Sequence, residues 1–305
     1  MALNISGLSE SLKNYVDGSR ETLISNVIFS EDVLQFFNLQ TGCKTTSPII
    51  LLDQTIEFGD GTTCKFEDGG ATNFTDRMIT IGAVKVNKSF CDKVLLKTAL
   101  ASELSLAAGT EKMPFEEKIT SDLVDKINVE KNRQLFIGKT ESGDKIDGIV
   151  TLIEKGVADG TITNVVDMAS DPIDVRVEKL WKSIKPEHSD AEIFMSVSNF
   201  KDLVLKFEKD NKFHYDIKEN MGDMELVLPY ANTKVHGIVA MGTNNTVWAS
   251  PKWNLFYGTD GESDNESYDL WYSKDNQEFR LAVNFVFGCN YAFGSAIYVN
   301  GQPMA

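Results

Sequence analysis

The chain is poor in cysteine. Its four, Cys43, Cys64, Cys91 and Cys289, lie far apart in 305 residues with no CxxC pair among them. That spacing excludes a zinc ribbon or disulfide framework and reads as buried or half-buried free thiols. Long apolar runs are missing, and a stretch such as Ile49 to Leu52 is far too short to cross a bilayer. No positively charged start leads into an apolar segment, so no export signal is read and a cytoplasmic setting is expected. Basic clusters are missing too, in a chain of formal charge −15. Proteins that hold nucleic acid by its backbone do so by displacing counterions with Lys and Arg, so that class is set aside. An acidic surface can still lie beside DNA without gripping it.

The motifs of common chemistries are absent as well. No GxxxxGK(S/T) loop, GxGxxG, HExxH or GxSxG occurs. The histidines His188, His214 and His236 have no ligand-like spacing and are expected to be hydrogen-bonded or at the surface. Glu116 and Glu117 are adjacent carboxylates, but acids in the first turn of a helix are explained by its dipole. Asp260, Glu262 and Asp264 imitate the start of a calcium loop, yet its sixth position is Asn265 and its twelfth is Trp271. No catalytic, cofactor-binding or metal-ligating residue is assigned, and the chain is read as not an enzyme.

Two long elements dominate what is present. In MPFEEKITSDLVDKINVEKNRQLFIGK, residues 113–139, Phe115, Ile119, Leu123, Ile127 and, after a gap, Leu135 recur at multiples of four. They share one face of a helix about 35 Å long. Pro114 suits its first position and Gly138 its stop. Glu116, Lys118, Asp122, Lys126, Glu130 and Lys131 are read as the opposite, solvated face. Near the C-terminus, Phe279, Leu281, Val283, Phe285, Phe287, Cys289, Tyr291 and Phe293 occupy every odd position. This predicts a strand of roughly 50 Å, with Gly288 as a kink. A long helix on a long sheet makes a plate.

The remaining segments are shorter. Residues 1–40 read as short helical pieces capped at Ser19 and Ser30, with apolar edges too thin for a core. Residues 45–88 read as extended, punctuated at Gly59-Asp60-Gly61 and Asp68-Gly69-Gly70, with a change of phase near Gly82. A hairpin with arms of about a dozen residues would project about 40 Å. An isolated ribbon is marginal in water, so this one is expected to lie across a neighbouring copy. Phe90–Leu106 reads as a second helix, and Ile149 to about Lys155 as a short one. Residues 174–185 make another, Glu192–Val197 a strand, and Ser198 caps a helix with Phe200, Leu203, Val204 and Phe207 in its stripe.

Taken in order, these pieces resemble the tailed-bacteriophage major capsid protein family, whose fold is shared with encapsulins. The resemblance rests on the arm, the loop 45–88, the stretch from Phe90-Cys91-Asp92, and the helix Pro114 to Phe136. It continues through Asp147-Gly148-Ile149 and the run Met195 to Leu203, then Asp269-Leu270-Trp271-Tyr272-Ser273-Lys274-Asp275 and the strand 279–293. It implies an α+β capsid-type fold with an N-terminal arm (1–44) and an extended hairpin loop (45–88). A peripheral platform (89–145 and 268–293) would hold the long spine helix and long strands. A central mixed α/β domain (146–267 and 294–305) would meet its counterparts at capsomer axes.

The implied function is self-assembly into an icosahedral shell around the double-stranded DNA genome of a tailed phage, in the host cytoplasm. Implied partners are other copies in hexamers and pentamers, a portal, scaffold or decoration proteins, and DNA nearby without specific binding. Some members weld the shell by a Lys–Asn isopeptide bond, for which Lys65 with Asn284 or Asn290 are of the right types. The alternatives are an encapsulin-like cargo compartment and an acidic α+β enzyme with a dispersed site.

Overall fold

The computed structural model describes residues 5–28, 35–49, 52–58, 70–74, 77–91, 115–167, 171–210, 217–220, 223–228, 231–261, 267–276 and 278–300. Its helices are α1 (Ile5–Ile28), α2 (Phe115–Ile137), α3 (Ile149–Ala158), α4 (Ile173–Ser183) and α5 (Val197–Lys209). The strands in chain order are β1 (Asn38–Gln40), β2 (Thr46–Pro48), β3 (Leu52–Ile56), β4 (Gly70–Phe74), β5 (Met78–Thr80) and β6 (Gly82–Cys91). There follow β7 (Asn164–Val166), β8 (Glu192–Ser196), β9 (Ile217–Asn220), β10 (Asp223–Val227) and β11 (Lys234–Ile238). The last are β12 (Trp248–Ser250), β13 (Leu255–Gly258), β14 (Ser267–Ser273), β15 (Glu278–Tyr291) and β16 (Tyr298–Asn300).

The expected plate is there. β15 pairs antiparallel with β14 along 278–284, with β13 along 288–291 and with β6 along 278–287, while β1 joins parallel on β13. Every odd residue of β15 is buried, as the alternation predicts. Its second half is buried on the even face too, where Val286 and Asn290 are covered. Gly288 is small for a reason other than a kink: a Cβ there would collide with the Thr80 carbonyl, which lies directly on the strand.

A seven-stranded sheet, in the order β7-β16-β12-β8-β11-β10-β9, forms the second body of structure. Its strands β8, β11, β12 and β16 are buried on both faces and divide their residues by alternation. Ile193, Met195 and Val235 pack against Val177 and Leu180 of α4 and Phe200, Leu203 and Phe207 of α5. Phe194, Ile238 and Trp248 face the other way and join the same core as α2 and β15. The two sheets therefore share one apolar core.

Several local expectations are corrected. Residues 5–28 form one helix running through Ser19, because Val16, Leu23 and Val27 lie on one side of it and are buried in the main core. Phe90 and Cys91 end strand β6 instead of starting a helix; the rest of that expected helix lies outside the described residues. The change of phase near Gly82 marks a change of partner, from the hairpin at Thr80 to β15 at Gly82. α5 is capped by Ser196, whose Oγ accepts from the Asn199 N–H at 3.4 Å, so the cap lies two residues before the expected Ser198.

Candidate assembly surfaces

The hairpin's described segments share one register, with a rooted base and exposed apolar side chains farther out. Thr46 pairs with Thr80 and Pro48 with Met78, and Leu52 with Phe74 through Ile56 with Gly70. All these pairs share one register, as does the Ile49 N–H to Arg77 carbonyl bond at 2.9 Å. Ile49 and Ile79 are buried beside Ala292, with Ile81, Phe256 and Phe293 around them. Asn290 donates from Nδ2 to the Met78 carbonyl at 2.7 Å, and Gln40 donates from Nε2 to Ser47 Oγ at 2.8 Å. At the far end Ile56 is 75% exposed and Phe58 is 99% exposed.

Beside the hairpin root, α2 crosses the face of β6 and β15 without closing on it. The gap is a groove of about 300 Å³ whose walls are Leu123, Ile127, Val84, Val86, Phe285 and Phe287. Its rim carries Lys88, Lys126, Glu130 and Gln134. Lys126 pairs with Asp122 at 2.7 Å, with both side chains well exposed.

Lys131 belongs to the buried face of α2 and not the solvated one. Counting by fours from Ile119 passes through residue 131, so the gap in the apolar stripe is filled by this lysine, only 2% exposed. Its Nζ donates to the Val27 carbonyl in the last turn of α1, and Asn128 Nδ2 donates to the Asn26 carbonyl at 3.1 Å. The final carbonyls of a helix have no partner within it and carry its negative dipole end. α1 has no basic residue in its own last turn, so α2 supplies both donors.

The corner between α2 and α3 is tied by carboxylates. Arg133 bonds Glu130 at 2.7 Å and Asp144 at 2.5 Å, and Asp144 accepts the Lys139 N–H at 2.9 Å. Asp147 accepts the Thr140 N–H at 2.9 Å and pairs with Lys155 at 2.7 Å. The Arg133 guanidinium holds Asp144 and Glu130 below their ordinary values. Burial pushes Asp147 up, but Lys155 and Thr140 outweigh it and the group ends below its usual value. These shifts come from ion pairs that brace a turn.

The two described histidines are hydrogen-bonded. His236 Nε2 lies 2.8 Å from Glu192 Oε2, its ring edge-on to Phe36 and stacked on Phe194. His188 Nδ1 lies 2.8 Å from the Tyr298 hydroxyl, and His214 is outside the described residues. Among the cysteines, Cys43 and Cys289 are buried and free, whereas Cys91 is exposed, because it ends an edge strand; Cys64 lies outside the described residues. Burial pushes the Cys289 thiol up to about 12. Of the residues expected for a cross-link, Asn290 holds the hairpin root and Asn284 donates to Ser267 Oγ at 2.9 Å, while Lys65 is outside the described residues. Among the described residues no cluster of His, Cys, Asp and Glu is placed to hold a metal, and no helix is long and apolar enough to cross a membrane.

No family sequence model matches the chain, and no curated protein matches it by sequence. Solved structures do match. The chain superposes on a chain of the satellite phage P4 procapsid with a TM-score of 0.59 and 9% identity, covering 92% of this chain and 90% of that one. The chain carries the phage-capsid fold. It is also similar to a chain of the holo-SrpI encapsulin complex from Synechococcus elongatus PCC 7942, with a TM-score of 0.54 at 9% identity and 91% of each chain covered. A third likeness is to the capsid of an empty GTA particle, with a TM-score of 0.52 at 13% identity and 88% of each chain covered. Identity this low explains why only the order of elements carried the resemblance. The capsid-type fold places the long helix, the long strand and the rooted hairpin in one frame.

Proposed function

We propose that this chain is the major capsid protein of a tailed phage, building an icosahedral shell around double-stranded DNA. The observation that carries the reading is the P4 procapsid likeness over about nine tenths of both chains, with a hairpin on which Ile56 and Phe58 stand exposed. In this reading residues 1–44 form the arm and 45–88 the extended loop. Residues 89–145 with 268–293 are the peripheral platform, and 146–267 with 294–305 the central domain at the capsomer axes. Strand β6 holds the loop's last residues on the platform and Ile49 and Ile79 root its base, which leaves the stretch between those two residues to reach a neighbour.

Other copies of the chain are the principal partners, in hexamers and pentamers, with a portal and scaffold or decoration proteins completing the particle in the host cytoplasm. Closed symmetry multiplies a modest contact by many copies, so no single interface has to be large. The acidic charge suits a lining along which DNA slides. No catalytic role is proposed. Size-exclusion chromatography with light scattering tests the reading: capsomers or shells are expected, and a monomer at every concentration would contradict it.

An encapsulin-like compartment is the second reading. Residues 5–28 form one helix, and the SrpI complex matches over 91% of both chains. Purified particles decide between the two. Nuclease-resistant DNA supports the capsid reading, and a co-purifying enzyme cargo without DNA supports the compartment.

A further inference from the structure

We infer that His236 is a proton-operated latch between the seven-stranded sheet and the elements packed on it. Protonation of its ring ties β8, β11 and β10 together and moves the aromatic contacts that lead to α2. The inference goes beyond the shell reading and stands without it. His236 lies at the centre of β11, beside Phe194 of β8 and opposite Glu225 of β10. It is 3% exposed, with Glu192 Oε2 2.8 Å from Nε2 and Glu225 Oε2 4.0 Å from Nδ1. One buried imidazole therefore stands between carboxylates on the two flanking strands.

Its two nitrogens are unequal. Burial pushes the Glu192 carboxyl up, but the His236 contact and the charges of Lys234 and Lys252 outweigh it and hold the group below its ordinary value. An ionised carboxylate only accepts, so Nε2 carries the hydrogen of that bond and the neutral ring leaves a lone pair on Nδ1. At 4.0 Å that nitrogen is beyond hydrogen-bond reach of Glu225, which Lys234 engages at 3.4 Å. A proton on Nδ1 turns a lone pair facing a carboxylate into a donor facing an acceptor, and the ring into a cation flanked by two anions. Closing the gap to an ordinary N–H···O bond takes a movement of about 1 Å. Farther along β10, Asp223 accepts the Val239 N–H at 2.6 Å. Phe36, Phe194, Trp248 and Phe136 complete the surroundings without charge.

The ring is coupled to the rest of the core. Phe194 stacks on His236 at 5.3 Å and on Trp248 at 4.4 Å, a column that crosses β11, β8 and β12. Phe36 stands edge-on to His236 at 4.9 Å and to Phe194 at 5.4 Å, and meets Phe136 near the end of α2 at 6.4 Å. A close-packed interior transmits a shift of this size instead of absorbing it. The joint between the sheet and α2 thus has one packing with His236 neutral and another with it charged.

Fluorescence of the full chain tests this. Replacing Trp181, Trp253 and Trp271 by Phe leaves Trp248 as the sole emitter of the four tryptophans. The expected result is one reversible transition in its emission between about pH 8 and pH 5, where imidazole changes charge. His236→Gln, which can still donate to Glu192 but does not titrate, should abolish the transition. Glu225→Gln, which removes the second anion, should reduce its amplitude at least twofold, and His188→Gln with His214→Gln should leave it in place. A parent without a transition, or one that survives His236→Gln, overturns the latch. Should His236→Gln fail to fold, the Glu225→Gln chain decides, and full amplitude there overturns it too.

Discussion

Lys131 is the residue whose surroundings most change its meaning. A lysine in a buried stripe is stable only if its ammonium is paired, and here it caps the end of α1. Lys131→Met keeps the packing stem and removes the charge-assisted bond. We expect a loss of about 1.5–3 kcal/mol, with faster hydrogen exchange across residues 5–28 as the local readout. The carboxylates at the α2–α3 corner set an acid limit. Glu130, Asp144 and Asp147 have depressed folded values, so the unfolded chain binds more protons in the acid range and stability falls with falling pH. Their contribution is complete above the ordinary carboxylate values of 4.5 and 3.8 and is lost as pH falls through the lower folded ones. Urea midpoints measured from pH 6 to pH 3 should fall less steeply in Asp144→Asn and Asp147→Asn than in the parent; an unchanged slope would show the corner does not carry it. Cys289, buried with its thiol near 12, should resist iodoacetamide in the folded chain while Cys91 reacts.

At the scale of elements, what could be read beforehand was what repeats. α2 and β15 are each long enough for one period to show many times, and both stand within two residues of where the spacing puts them. The hairpin was legible as extended arms, while the turns expected at Gly59-Asp60-Gly61 and Asp68-Gly69 lie outside the described residues. α1 was not, because its buried side is short and Ser19 imitates a cap without serving as one. β6 was read as extended as far as Lys88 and its end was missed: Val84 and Val86 face α2 while the next residues out are exposed polar ones, so a two-period signal faded before Phe90. Lys131 could have been found by counting in fours, since a lysine at a core position needs a partner. The groove and the tip are products of tertiary packing and left no local mark. One element-scale prediction follows from the single hairpin register. Replacing residues 57–69 by Asn-Gly keeps Ile56 opposite Gly70 and supplies a turn that matches strand twist. Thermal unfolding should stay within a few degrees of the parent, and assembly should be lost; unimpaired shells would remove the hairpin from the account.

The whole molecule is two sheets joined through one core, with a ribbon that projects beyond it. A formal charge of −15 makes every copy repel the next. Screening over a Debye length of about 8 Å at physiological salt removes much of that repulsion. Light scattering should therefore fall as salt is withdrawn, and scattering that holds constant or rises would show that charge does not limit association. The central claim is that the chain is completed by its own copies. Electron microscopy of the purified full-length protein at high concentration addresses it most directly. The account predicts closed shells or capsomer rings in which the hairpin of each subunit lies on the next. Isolated 33.9 kDa particles with the hairpin lying free of any neighbour would contradict it.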